Sequence, residues 1–354
     1  MRHFIVILFM IALSFCMAGN VPADMESIPD QQQLIVDADS PFLSNTSLKV
    51  LGEFYRNSSD FKRQSVGAEY EVWLNGIANL MAGYTFSYFS QSGFEDINRH
   101  KFFIQGETQV SQKIGITARI SESVYDNDNE NFNGGVFLRY RPQLNLFSEI
   151  SYRHFDIIDY VLPFNNAIYS YVVTIGSIDR NIQSDDYKIF LLYYPAASIS
   201  FAGEVIYGDY SDGNEKRSLM FEAGYKFRDN PHLRTAYNYF YLDLKNPAPL
   251  TQSGQPNESA YWDPVNFDTH TLRLEFRDDY LEHLTVGAEG ALSYSFDSED
   301  ISSTVFLYAS YRVREYTSLR FDARWFNQDR GVDRRGKTDG FWAENYSMIL
   351  QHRF

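Results

Sequence analysis

From Thr46 onward the chain repeats one pattern: short segments in which apolar and polar residues alternate with a period of two. Leu272-Arg273-Leu274-Glu275-Phe276-Arg277 alternates over its whole length, as does Leu319-Arg320-Phe321-Asp322-Ala323-Arg324-Trp325. The last segment keeps Tyr346, Met348, Leu350, His352 and Phe354 on one face. Successive side chains of a strand point to opposite sides, so each segment has one apolar wall and one polar wall. The pattern predicts strands near 46–56, 65–75, 77–90, 99–111, 114–125, 133–141, 144–155, 186–195, 198–209, 216–228, 232–243, 267–278, 284–296, 302–313, 316–328 and 338–354.

A water-soluble β-sandwich also alternates, so the connections have to decide. Tight turns fall at Asn75-Gly76, Gln112-Lys113, Pro142-Gln143, Ala196-Ala197, Asp229 to Pro231, Asp279 to His283 and Arg314-Glu315. Between them come longer or acidic loops at 57–64, 91–98, 126–132, 156–185, 210–215, 244–266, 297–301 and 329–337. Short turns at one end and long loops at the other is the layout of an outer-membrane barrel. A sandwich gives no reason for that segregation, and it needs buried partners for every apolar face. The expected fold is therefore all-β: a transmembrane antiparallel up-and-down β-barrel of about sixteen strands, with fourteen to eighteen compatible with the pattern. The stretch 156–185 sets that range. Tyr169 to Ile175 reads as a strand in isolation, but one extra strand breaks the up-down parity, so a long loop folded against or into the lumen is preferred.

Composition narrows the class. Aromatic residues make up 17% of the 354-residue chain and crowd near strand ends (Tyr193-Tyr194, Trp325-Phe326, Phe341-Trp342), as in interfacial girdles. A net charge of −15 argues against nucleic acid as a partner, since phosphate binding needs a basic surface. One cysteine supports neither a disulfide framework nor a cysteine-based zinc cluster.

Residues 1–18 have a basic head (Arg2, His3), an apolar core from Phe4 to Phe15 and a small-residue end at Ala18. They read as a secretory signal peptide cleaved near Ala18, because the core is too short for a permanent span. Cys16 offers a lipoprotein alternative, but the Phe15 before it is not small. Residues 19–45 are acidic and proline-containing and read as a flexible periplasmic leader. Residues 46–354 form the barrel, placed in the bacterial outer membrane with lipid around it.

If the apolar faces meet lipid, the polar faces line the lumen. The substrate path is expected along Glu149, Arg153, Arg234, Arg273, Glu275, Arg277, Arg312, Arg320, Asp322 and Arg324, with Phe240, Phe306 and Tyr308 on the same side. Planar charged groups and aromatic faces suit polyhydroxylated chains. Sixteen strands are expected to enclose an aqueous channel rather than a packed core. No catalytic constellation stands out, and the seven histidines form no zinc-binding pair, so an enzyme, a cofactor and a metal are not expected. The acidic loops 126–130, 209–215 and 297–300 match no full calcium-loop spacing and read as solvated.

Two loop motifs go further: Tyr210-Ser211-Asp212-Gly213-Asn214-Glu215-Lys216-Arg217, and Ala260-Tyr261-Trp262-Asp263-Pro264-Val265-Asn266-Phe267. Together they resemble signatures of barrels that export exopolysaccharides, such as the poly-N-acetylglucosamine porin and the cellulose secretion channel. The resemblance covers roughly residues 130–354. It implies a sixteen-strand pore that passes a nascent polysaccharide outward, with Asp212, Gly213, Asn214, Tyr261, Trp262, Asp263 and Pro264 in architectural roles. The C-terminal Phe354 looks like the signal read by the barrel assembly machinery. Those relatives carry a tetratricopeptide superhelix, and no such helical repeat is seen here. A separate periplasmic tetratricopeptide protein is the partner this implies. The alternative expectation is a passive diffusion porin for small sugars or anionic solutes.

Overall fold

The computed structural model describes residues 46–74, 78–161, 174–246, 266–296, 299–328, 332–333, 336–337 and 340–354. The signal peptide, the leader and the residues Tyr261 to Pro264 lie outside the described residues. The first half of the wall is β1 (Thr46–Asn57), β2 (Lys62–Leu74), β3 (Ala78–Ser90), β4 (Ile97–Ser111), β5 (Ile114–Tyr125), β6 (Glu130–Gln143), β7 (Leu146–Asp156) and β8 (Gln183–Ala196). The second half begins with β9 (Ile199–Tyr210), β10 (Glu215–Arg228), β11 (His232–Leu244), β12 (Phe267–Leu281) and β13 (Leu284–Tyr294). It continues with β14 (Ile301–Arg314), β15 (Thr317–Gln328) and β18 (Phe341–Arg353), while β16 (Val332–Asp333) and β17 (Gly336–Lys337) form a separate small ladder.

Each wall strand pairs antiparallel with its sequence neighbours, and β1 closes on β18, with Gly52 opposite Met348 and Phe54 opposite Tyr346. The result is a closed sixteen-strand barrel with no free sheet edge. The described turns β4–β5, β6–β7, β8–β9 and β14–β15 take two residues each at one end, and the longer connections gather at the other. A strand of 13 residues rises about 43 Å and, tilted by about 45°, crosses a hydrocarbon layer of about 30 Å.

Parity assigns the two faces. On β12, Leu272, Leu274 and Phe276 are exposed outward while Thr269 and Thr271 are buried inward. The same alternation puts Ile189, Leu191 and Tyr193 of β8, or Val305, Leu307 and Tyr311 of β14, on the outer wall. Exposed apolar side chains around a whole barrel are what a lipid-facing wall requires. Phe354 is half exposed, and its N–H donates to the Thr46 carbonyl at 3.0 Å, which ties the chain end to the start of β1.

Two features depart from the sequence expectation. Strands β2, β6 and β8 begin about three residues earlier than the apolar pattern marks, because their first residues hydrogen-bond within the lumen and carry few apolar markers. In addition, the lumen is not wholly aqueous. Among the described residues of 156–185, Ile157–Val161 forms a 3-10 turn and Ile175–Asp179 forms the short helix α1. Ile157, Ile158, Ile175, Ile178 and Ile182 are buried, together with inward side chains such as Phe89, Ile97, Tyr125, Phe240 and Leu242. The loop therefore folds into the barrel and builds a small apolar core under the long-loop rim. Tyr169 to Val173 lies outside the described residues, and Ile175 starts a helix rather than a strand.

Candidate transport lumen

The inner wall is built by parity alone. Arg234 lies between two carboxylates, 2.7 Å from Glu222 and 2.6 Å from Glu275, and also donates to Ser200 Oγ at 3.0 Å. Arg273 meets Glu222 and Glu275 at 2.8 Å each and approaches Glu289 at 4.0 Å. Two guanidiniums and three carboxylates thus form a lattice across β10–β13. Gly224 makes room for it: a Cβ there would lie 2.2 Å from Arg234 Nη2. Gly224→Leu is expected to dislodge Arg234 and change single-channel conductance while the folded barrel keeps its heat-modifiable gel mobility. Unaltered conductance would show that the lattice does not bound the ion path.

A second chain of charges runs along β4–β9. Arg139 contacts Glu107 at 3.0 Å and Glu149 at 3.3 Å, Glu149 meets Lys188 at 3.0 Å, and Lys188 approaches Glu204 at 3.7 Å. Nearer the long-loop end, Asp186 accepts from Lys216 at 2.8 Å, from Ser184 at 2.8 Å and from Arg153 at 3.5 Å. On the opposite side, Arg320 donates to Asp322 at 2.8 Å and lies over the Tyr308 ring at 4.9 Å, while Arg324 lies over the Phe306 ring at 4.6 Å. Arg119 stacks on Phe103 at 4.0 Å. Such stacks present a charged plane and an aromatic face together. Arg277 and Arg312 are on the inward parity of β12 and β14, and no ion pair joins them among the described residues. All ten residues expected along the path thus share the inner face.

Alternation would also have found Arg99, Lys101, Arg139, Asp186, Lys188, Lys216 and Glu289, which were not in the expected set. Asp159 could not be found that way, since it lies in a loop. Its carboxylate accepts from Arg99 Nη1 at 2.6 Å and pairs with Lys101, both on β4. Asp156 receives Tyr125 at 3.0 Å, Asn131 at 2.7 Å and Asn133 at 3.1 Å. Ile175 N–H donates to Gln91 at 2.9 Å, and Asn129 donates to the Ile178 carbonyl at 2.8 Å. The inserted loop is therefore tied to β4 and to the β3–β4 and β5–β6 loops by polar contacts around an apolar centre, with Asp156 at the end of β7 bonded to β5 and β6 beside it.

The Tyr210–Arg217 motif forms the β9–β10 hairpin. Gly213 has φ +85°, which favours glycine, and Asp212 accepts from Asn214 N–H at 3.1 Å. The buried Asn214 carboxamide oxygen accepts from Glu215 and Asn246 backbone N–H groups, at 3.0 and 2.9 Å. Each of these contacts is with backbone. In the acidic loop 126–130, Asp126 accepts from Asn98. Among the described residues no group of three or more His, Cys, Asp or Glu side chains converges on a metal position.

A solved structure described as "Bacterial polysaccharide outer membrane secretin" superposes with a TM-score of 0.65 at 11% identity, covering 89% of this chain and all of that one. The chain shares the fold of that barrel. Structures described as Pseudomonas aeruginosa OccK11 (OpdR) and as "CymD monoaromatic hydrocarbon channel" superpose with TM-scores of 0.47 and 0.46. They share 9% and 11% identity, each over 88% of this chain and over 97% and 89% of theirs. No family model matches the sequence, and no curated protein does.

Proposed function

We propose that this barrel is an outer-membrane channel for export of an exopolysaccharide, whose nascent chain slides along the charged and aromatic inner wall. The observation that carries the reading is the pairing of guanidiniums with partly exposed rings, Arg320 on Tyr308 and Arg324 on Phe306, on a wall otherwise laced with ion pairs. Hydroxyl groups of a sugar hydrogen-bond to the charged planes, and its apolar faces lie on the rings. Because Arg312, Arg320 and Arg324 on β14 and β15 outnumber the neighbouring carboxylates Asp322 and Glu289, an anionic chain is favoured over a cationic one. The partners in this reading are the polysaccharide, a separate periplasmic tetratricopeptide scaffold and the assembly machinery that reads Phe354.

The inserted 157–182 loop favours a second reading, a passive diffusion channel for small sugars or anionic solutes, because it narrows the lumen. Deleting the gene separates the two. Loss of extracellular polysaccharide with unaltered small-solute uptake supports export, and the reverse pattern overturns it. For the wall itself, Arg320→Glu combined with Arg324→Glu is expected to shift the reversal potential in a salt gradient toward cation selectivity, with insertion into bilayers unaffected. An unmoved reversal potential would remove these side chains from the path.

A further inference from the structure

One groove on the outer wall lies at the seam where the barrel closes. There, on β14, β15, β18, β1, β2 and β3, small residues leave a groove of about 880 Å³ lined mainly by outward residues, with Glu53, Ser65, Tyr308, Asp322 and Ser347 of inward parity between them. Registry shows its shape. In one row Val66, Gly52, Met348, Phe321 and Ala309 are successive cross-strand partners, and in the next row Gln64, Phe54, Tyr346, Ala323 and Leu307 are. Gly52 forms the floor: a Cβ added to it would meet nothing within 4 Å. Phe54 and Tyr346 stack above it with ring centroids 6.4 Å apart.

The row after that, toward the long-loop end, changes character. Arg56 lies opposite Glu344 on one side and Lys62 on the other. Arg56 bonds Glu344 at 2.9 Å and lies 5.6 Å from the centre of the Trp342 ring, yet its side chain is 46% exposed, and Lys62 is exposed too. Tyr346 and Arg56 both contact Glu344, and Tyr88 donates to Asp96 at 2.5 Å. An apolar trough inside the hydrocarbon band, ending under Arg56 and Lys62 with the hydrogen-bonded carboxylates Glu344 and Asp96 beside them, has the chemistry of a single bound lipid. Its volume is within the roughly 300–1,000 Å³ of sites that hold small ligands.

We infer that this groove binds one phosphorylated glycolipid of the outer leaflet, an acyl chain lying over Gly52, Ala309 and Ala323 and a phosphate at Arg56 and Lys62. The site is separate from the lumen and independent of what the channel carries. The apolar contact supplies most of the attraction, and the cations select the headgroup.

The test is native mass spectrometry of the full-length mature barrel in micelles, titrated with lipid A, with dephosphorylated lipid A and with phosphatidylethanolamine. One lipid A per barrel is expected, retained at detergent levels that strip phosphatidylethanolamine. Gly52→Leu, which fills the floor, is expected to weaken binding at least fivefold, as is Ala309→Leu, and Arg56→Glu to abolish the preference for the phosphorylated form. Gly290→Leu serves as the control, since Gly290 is also in open space but on β13, and it is expected to bind like the parent. Heat-modifiable gel mobility verifies folding of each variant. Equal lipid A binding by the parent, Gly52→Leu and Ala309→Leu overturns the inference. So does a second copy of the barrel occupying the seam in place of lipid.

Discussion

Asp159→Asn is expected to open the barrel, seen as larger single-channel conductance in planar bilayers with the fold intact. The substitution keeps the size of the side chain and removes the charge that neutralises Arg99 and Lys101. Arg99 is almost fully enclosed, stacked near Phe89 and Tyr125, so without Asp159 its charge is left buried with only the more distant Asp156 to balance it. Breaking one side of such a pair costs about 3–5 kcal/mol. A bias of that size approaches the roughly 5.5 kcal/mol that turns a 1:99 equilibrium into 99:1, so the loop leaves its seat for a measurable fraction of the time. The apolar contacts of Ile157, Ile158 and Ile175 still favour insertion, so the expected trace shows larger and noisier currents rather than a permanently open pore. A conductance equal to that of the parent would mean the loop is held by its isoleucines and the Gln91 and Asn129 hydrogen bonds without help from Asp159.

The same carboxylate fixes the direction of the acid response. Burial by itself pushes the Asp159 carboxyl up, but the charges of Arg99 and Lys101 outweigh burial and hold it well below the usual carboxylate range. A group whose folded value is depressed contributes stability that is fully present above its unfolded value, about 3.9, and is lost as pH falls from there through the folded value. The loop is therefore expected to stay seated from neutral pH down to about 4 and to loosen only in stronger acid. In Asp159→Asn, which has no such proton to take up, the acid-dependent rise in conductance should be missing.

The wall was legible in the sequence residue by residue, whereas strand parity pointed only to a long loop folded against or into the lumen and not to the residues that seat it, for one physical reason. Where a strand lies between lipid and water, each residue is forced to one side or the other, and the period of two is written directly into Leu272 to Arg277 or Leu319 to Trp325. The pattern fades at the long-loop ends. Arg63, Asn131 and Ser184 are strand residues that bond inside the lumen to Glu53, Asp156 and Asp186, so the sequence reads there as polar and loop-like. Asp159 and the isoleucines of 157–182 have no period to betray them, because an inserted loop meets the wall through irregular backbone. The Arg–carboxylate lattice is intermediate: parity places Arg234, Arg273 and Glu275 on one face, but the pairing of Arg234 across three strands depends on Gly224, whose role no local pattern announces.

Lys216→Met is expected to destabilise the folded barrel strongly, lowering the urea midpoint in lipid vesicles, and Asp186→Leu in the same chain to restore much of the loss. Both ends of this pair are completely enclosed, 2.8 Å apart, and the Lys216 ammonium also lies 5.6 Å from the Tyr210 ring. Gly208 lets them meet: a Cβ at that position would lie 2.6 Å from Asp186 Oδ1 and 2.8 Å from Lys216 Cε. Taking two charges out of water is expensive, and their attraction only about balances it, so the pair itself adds little net stability. Removing one partner is a different matter, costing about 3–5 kcal/mol because the other charge stays buried. Arg153, at 3.5 Å, compensates Asp186 in part, so Lys216→Met should sit at the lower end of that range and the double variant near the parent. A double variant as unstable as Lys216→Met would instead show that the Arg153–Asp186 contact, or the packing of Tyr210 beside it, is what this corner of the barrel depends on.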